Sequence, residues 1–306
     1  MVFQYFEPIT NEMECKIWKT IGRTKTTAQK DIDLIKTWLN SQLHLPHTLS
    51  DQQIASFLIV GKGNIEKIKS KIDMYYTMRF LYPEIFSDSH PFSKKCLNVY
   101  KFLYTLPLPK TNKDLNRILV LKLKDADPSE LDAYACCASL MNMADMRMLE
   151  DFCDGHLIIV DMEFCRMGHL AKLTPKLIRD IYNILGKAFT TRVVAIHLIN
   201  APLFLDQAIF LIKSLIKPKV ANRIFVHKDM KSVVESIDKN ILPKDYGGYE
   251  DSLEELEAKY LKKMEDRKDF FDQRENWVVM EDLRPSKVSN DEFLGYYGNF
   301  KKLDVD

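Results

Sequence analysis

The sequence predicts an α/β protein in which a small helical domain precedes a mostly parallel sheet wrapped by helices. Three observations lead there. Apolar residues recur at three- and four-residue spacing through the first 80 positions. The texture then changes to short β-branched runs separated by helical stretches, the pattern of a parallel sheet. Between the two lies a proline-rich passage with Pro91, Pro107 and Pro109. With 306 residues, 46% of them apolar and 28% charged, the chain has material for about two domains and is too apolar for disorder.

From residue 28 to about 41, Ile32, Ile35, Trp38 and Leu39 define an amphipathic helix. A second starts after Ser50, a good N-cap, and runs through Ile54, Phe57 and Leu58 to Gly61. A third runs from Asn64 through Ile65, Ile68, Ile72 and Tyr75 to about Phe80, and Pro83 stops it. Past the prolines, residues 117–123 read as a strand and 128–150 as one long helix opened by a proline, where a missing N–H does no harm. Then follow a strand at 156–161, a helix at 174–189, a strand at 193–199, a helix at 202–217 and a strand at 223–227. Gly247 and Gly248 end this region, and a charged helix covers 252 to about 274 before a tail with Trp277, Tyr296 and Tyr297. The expected organisation is a helical domain over residues 1–80, a sheet domain over 81–250, and a charged helix and tail over 251–306.

The 44 Lys and Arg against 43 Asp and Glu leave a net charge of +1, which argues against a dedicated nucleic-acid binder. Charge is uneven: residues 251–306 carry −5 and residues 1–250 carry +6. No run reaches the apolar length of a membrane-spanning helix, and residues 1–10 lack a signal-peptide pattern, so an intracellular, cytoplasmic protein is expected. The six cysteines form no CxxC pair, which fits neither a zinc site nor a disulfide framework. Vicinal Cys136 and Cys137 read as a redox switch or, more simply, as small buried hydrophobes.

Chemistry-bearing motifs are sparse. Gly61-Lys62-Gly63-Asn64 lacks the spacing of a phosphate loop and follows a helix, so it reads as a helix-ending turn. His156, His169 and His197 stand singly, without metal-ligand spacing. Asp161 and Glu163 flank a strand end, where open α/β sheets bind ligands, yet no nucleophile accompanies them. Neither a metal, a cofactor nor catalysis is expected.

The most informative segment is 202–217. On a helical wheel its polar residues fall within about 120°, opposite an apolar side centred on Leu205, Ala208, Ile212 and Leu215. Leu203 and Phe210 fall inside the polar sector, so apolar atoms face nearly every direction. The helix is either sandwiched in the core or a lid over an apolar cavity. Phe210 either points outward to meet a membrane or packs on the C-terminal segment, at Trp277 or Tyr296.

Several stretches together resemble the CRAL-TRIO lipid-binding family: residues 154–161, Leu173-Thr174-Pro175, residues 196–202, the helix that follows, Arg223-Ile224, and Leu242-Pro243-Lys244-Asp245-Tyr246-Gly247-Gly248. In the helical domain Phe57-Leu58, residues 64–67 and residues 75–79 fit the same pattern, so the resemblance spans roughly residues 25–255. It implies a non-enzymatic, monomeric carrier holding one small lipophile, of the retinoid, tocopherol, carotenoid or phosphoinositide class, between a sheet floor and a movable lid helix. The implied cavity residues are His156, Ile158 and Val160, Ile181, Ile184 and Leu185, Ile196, and the inward side of the lid. The long helix adds Met141, Met143, Met146 and Met148, whose thioethers suit an irregular ligand or a plain core. By the same resemblance Arg192, Lys219 and Arg223 meet phosphoinositide head groups of a membrane with which the protein associates peripherally. The family's arginine-rich run after Phe-Leu is replaced here by Ile59, Val60 and Gly61. The alternative from another class is an endosomal phosphoinositide-sensing adaptor that carries no cargo.

Overall fold

The computed structural model describes residues 3–124, 127–234 and 237–285. The chain opens with α1 (Asn11–Thr20), α2 (Lys25–Asn40), α3 (Asp51–Val60) and α4 (Ile65–Leu81), followed by the short α5 (Pro83–Phe86) and α6 (Lys94–Val99). Thr24, Ser50 and Asn64 cap α2, α3 and α4 by accepting the N–H three residues on, which satisfies a donor the helix leaves orphaned. α3 ends where the N–H groups of Gly61 and Gly63 return to the carbonyls of Phe57 and Leu58, with Gly63 at φ +67°. Those glycines terminate a helix, as their spacing indicates.

The sheet runs in the order β1-β2-β3-β4-β5. β1 (Leu103–Thr111) pairs antiparallel with β2 (Asn116–Leu123), and β3 (Gly155–Asp161), β4 (Val193–Ile199) and β5 (Ile224–Val226) continue in parallel. β1 corrects the sequence reading, which takes Pro107 and Pro109 as linker. Proline is tolerated because the strand lies at the edge, and its register slips between Pro107 and Thr111. The N-terminal segment covers that edge: the Glu7 N–H bonds the Pro109 carbonyl at 2.9 Å, and the Tyr5 hydroxyl donates to the Pro107 carbonyl at 2.7 Å.

α7 (Ala133–Glu150) links β2 to β3, α8 (Met167–Ala171) and α9 (Pro175–Lys187) link β3 to β4, and α10 (Leu205–Leu215) and α11 (Pro218–Ala221) link β4 to β5. α12 (Lys231–Val234), α13 (Leu253–Glu265) and α14 (Lys268–Arg274) follow. Two expected helices are shorter than their patterns. Pro128–Glu130 forms a 3-10 turn, and Asp132 then caps α7 by accepting the N–H of Tyr134 and Ala135. The helix expected over 252–274 breaks at Arg267, whose backbone leaves the helical region (φ −110°, ψ 18°).

α7 is apolar on both sides because it is the middle layer. Met141 and Met148 pack with Ile35, Phe57, Tyr75 and Ile184 of the helical cluster. Met143 and Met146 pack with Ile118, Val120 and Ile159 of the sheet and with Tyr260 of α13. A polar knot fastens this layer. Fully buried Asp145 accepts the Tyr75 hydroxyl at 2.6 Å, Arg79 Nη2 at 2.9 and 3.0 Å, and Arg274 Nη1 at 2.7 Å. Lys71 Nζ meets the carbonyls of Gly186 and Phe189 at 2.6 and 2.7 Å, tying α4 to the end of α9. Among the described residues no helix is long and apolar enough to cross a membrane.

Candidate ligand-binding site

The strand register builds a floor. Leu119, Ile158, Ile196 and Ile224 form one row across the sheet, and Leu121, Val160, Leu198 and Val226 the next. Alternate residues of a strand share a face, so both rows face the same way. α10 lies over this floor: Leu205 and Ile209 are buried against Met162, Cys165, Leu198 and Ile224. Val160, Leu170, Ile196, Ala208, Ile212 and Ile216 join the cluster while staying partly exposed. Apolar surface on the floor and on the inner side of α10 is thus left uncovered by the protein's own packing.

The structure sorts the expected cavity residues. Val160, Ile196, Leu205, Ala208 and Ile212 come together in this cluster. Ile158 is on the floor face, partly buried against the sheet core, and Leu215 is half-buried at the end of α10. Three are corrections. Ile184 is fully buried in the helical cluster, and Ile181 and Leu185 pack against the same cluster, because the apolar stripe of α9 serves the N-terminal helices. His156 is also a correction: its Nε2 contacts Arg147 and its Nδ1 accepts the Arg192 N–H at 3.2 Å, so it belongs to a buried polar network. Burial first, and then the Arg147 charge, push its pKa well below the ordinary value. Ile209 is missing from the sequence list although it stands four residues from Leu205, the spacing that shares a helix face. No sequence signal marks Met162, Cys165 and Leu170, which the turn after β3 and the short α8 bring under α10.

On its outer side α10 exposes Phe210 to 77%, and Leu203 in the turn before it is 91% exposed. Trp277 lies elsewhere, against Tyr75, Tyr76 and Phe270. Tyr296 and Tyr297 fall outside the described residues.

Arg192 and Arg223 gather at the starts of β4 and β5, where Arg223 Nη1 donates to the Val193 carbonyl. Arg192 is already paired with Asp154 at 2.6 Å. Lys219 is exposed on α11, beside exposed Lys217. Lys187 at the end of α9 joins them: burial, and next the Lys217 charge, lower its pKa. Neither Lys187 nor Lys217 is marked by the sequence pattern, because only packing of α9 beside α10 makes them neighbours.

The carboxylates at the β3 end are structural. Asp161 accepts Asn200 Nδ2 at 2.8 Å, the Tyr246 hydroxyl at 3.2 Å and Lys122 Nζ at 2.9 Å, and Lys122 also holds Glu163 at 2.6 Å. Burial, and then the adjacent Asp161 charge, raise the Tyr246 hydroxyl far above its ordinary pKa. Gly248 makes this possible, since a Cβ there would come within 2.0 Å of the Leu242 carbonyl oxygen. The vicinal thiols are held protonated by burial, Cys136 being pushed up to about 12.

Fold and site together define an α/β protein with an apolar floor roofed by one amphipathic helix and preceded by a helical unit. Residues 102–248 match the CRAL/TRIO domain and residues 24–96 the Pinta-like UBA domain. Over its sheet unit the chain is similar to the CRAL-TRIO family. It is 23% identical over 253 residues to the alpha-tocopherol transfer protein-like protein of Mus musculus, covering 80% of this chain and 72% of that one. Clavesin-2 of Homo sapiens is 30% identical over 96 residues, 31% of this chain and 29% of that one. The crystal structure of Sfh5 shares the fold with a TM-score of 0.52 at 9% identity, over 85% of this chain and 100% of that one.

Proposed function

We propose that the protein binds one small lipophilic molecule between the sheet floor and α10 and transfers it between membranes without chemical change. The observation that carries this reading is the half-exposed apolar surface of Val160, Ile196, Ala208 and Ile212, on facing sides of the site. Covering such surface with an apolar ligand contributes roughly 25 cal/mol per Å² removed from water. The relative named as a transfer protein supports the transport role. In this reading α10 is the lid, and a retinoid, tocopherol, carotenoid or phosphoinositide is the ligand class. The basic rim of Lys187, Lys217, Lys219 and Arg223 attracts phosphoinositide head groups by charge-assisted hydrogen bonds at the target membrane. That rim also favours a second reading, a phosphoinositide-sensing adaptor without cargo.

Native mass spectrometry and solvent extraction of the purified protein separate the two. A stoichiometric apolar ligand, lost in Ile212→Asp because the new charge has no partner in an apolar site, supports the carrier. Unchanged ligand retention in Ile212→Asp overturns the site, and wild-type protein that takes up no lipophile from liposomes supports the adaptor. Neutralising Lys217, Lys219 and Arg223 should weaken binding to phosphoinositide liposomes and spare uptake of the apolar ligand. Equal binding by both proteins at low salt, where screening is weakest, removes the rim from the account.

A further inference from the structure

A second polar cleft, away from the floor and α10, lies where α3 meets α7 and the start of β3. We propose that it binds a single small anion, of the size and charge of chloride. Arg147 is 95% buried there, since its relative exposure is 5%, and no described carboxylate forms an ion pair with it. The adjacent carboxylate is taken: both oxygens of Asp151 accept from Arg117, at 2.6 and 3.0 Å. Arg117 therefore occupies this carboxylate and leaves Arg147 without one, although a buried charge ordinarily has a partner of its own.

Hydrogen bonding points the same way. Arg147 Nη1 contacts Nε2 of His156, while Nδ1 of that ring faces the N–H of Arg192 at 3.2 Å. A neutral imidazole accepts at one nitrogen only, so donors outnumber acceptors around it. Arg147 Nε is buried with no acceptor at all. The Cys153 sulfur lies 3.6 Å from His156 Nε2, but burial raises its pKa and keeps it a neutral thiol, which leaves the positive charge uncompensated. Ser56, Val60 and Thr190 complete the lining of a cavity of about 20 Å³. That volume admits one water-sized species and excludes phosphate and carboxylate groups. An anion seated there supplies the missing acceptor and the missing charge, and bridges α3 of the helical unit to α7 and β3 of the sheet unit.

The test uses the full chain in sodium chloride against sodium gluconate at constant ionic strength, followed by thermal melting, with crystals grown in sodium bromide for anomalous scattering. The melting temperature should rise with chloride, by linkage of binding to folding, and a bromide peak should sit beside Arg147. Arg147→Met should abolish the chloride response. If that variant does not fold, Thr190→Val should move the response to roughly tenfold higher chloride, the effect of losing one hydrogen bond to a charged group. A melting temperature independent of chloride in the wild type, or bromide crystals without an anomalous peak at Arg147, overturns the proposal.

Discussion

Phe210 and His156 show how far single residues depart from their local pattern. Phe210 interrupts the polar sector of its helix, and the fold leaves the ring in solvent. Burying it in a membrane interface contributes roughly 1.5–3 kcal/mol, enough to change residence by about ten- to a hundredfold. Phe210→Ser should therefore slow transfer between liposomes at unchanged melting temperature and ligand occupancy; a lowered melting temperature with normal transfer would make the ring a packing residue. His156 affects stability through pH. Its folded pKa lies well below the ordinary value of 6.5. Above pH 6.5 the imidazole is neutral in both states and adds no pH dependence. Below it the unfolded chain binds a proton that the folded chain refuses, and stability falls by up to about 1.4 kcal/mol per pH unit. Urea denaturation at pH 7 and pH 5 should show this loss, and His156→Gln should reduce it. Since burial lowers His90 and His197 as well, part of the slope remains; an unchanged slope in the variant would assign all of it to them.

Among the elements, α10 is built differently from the longer helices α4 and α9. α4 and α9 start on side-chain caps, Asn64 at 3.0 Å from the Lys67 N–H and Thr174 at 3.2 Å from the Leu177 N–H. At the start of α10, Phe204 supplies no side-chain cap. A good N-cap is worth about 1 kcal/mol, so α10 depends on the contacts of its apolar side, and it packs on one face only. Elements of this kind open at low free-energy cost. Hydrogen exchange should find the α10 amides less protected than those of α7, which is buried between two cores; equal protection would contradict a lid that opens independently of global unfolding. The capping signals were legible in the sequence, as was the apolar centre of α10. Which side of α9 faces the site was not, because amphipathicity names an apolar stripe and leaves its partner open.

At the scale of the whole molecule, Asp145 joins segments that are far apart in sequence. Tyr75 and Arg79 come from α4, Arg274 from α14, and the carboxylate itself from α7. Removing it leaves two guanidinium groups buried without their shared partner. Asp145→Ala should cost about 3–5 kcal/mol in chemical denaturation, the range for breaking a buried pair from one side. A cost below about 1 kcal/mol, that of a surface pair, would mean that the knot is not what holds α14 on the helical unit.

The sequence by itself determined the helices from α2 to α4 and the strands β2 to β4, because caps, turn glycines and periodicity are local and survive in one dimension. It also named Val160, Ile196, Leu205, Ala208 and Ile212, which come together in one apolar cluster, since strand alternation and helical spacing state which residues share a face. The tertiary structure decided the rest. β1 is a strand because an edge position, covered by the N-terminal segment, accepts prolines that local preference assigns to a linker. Ile181, Ile184 and Leu185 serve the helical core, and His156 joins Arg147 and Arg192, because the neighbour each residue meets depends on how the layers stack. Burial and charge compensation act between residues brought together only by folding, and periodicity along the chain carries no record of them.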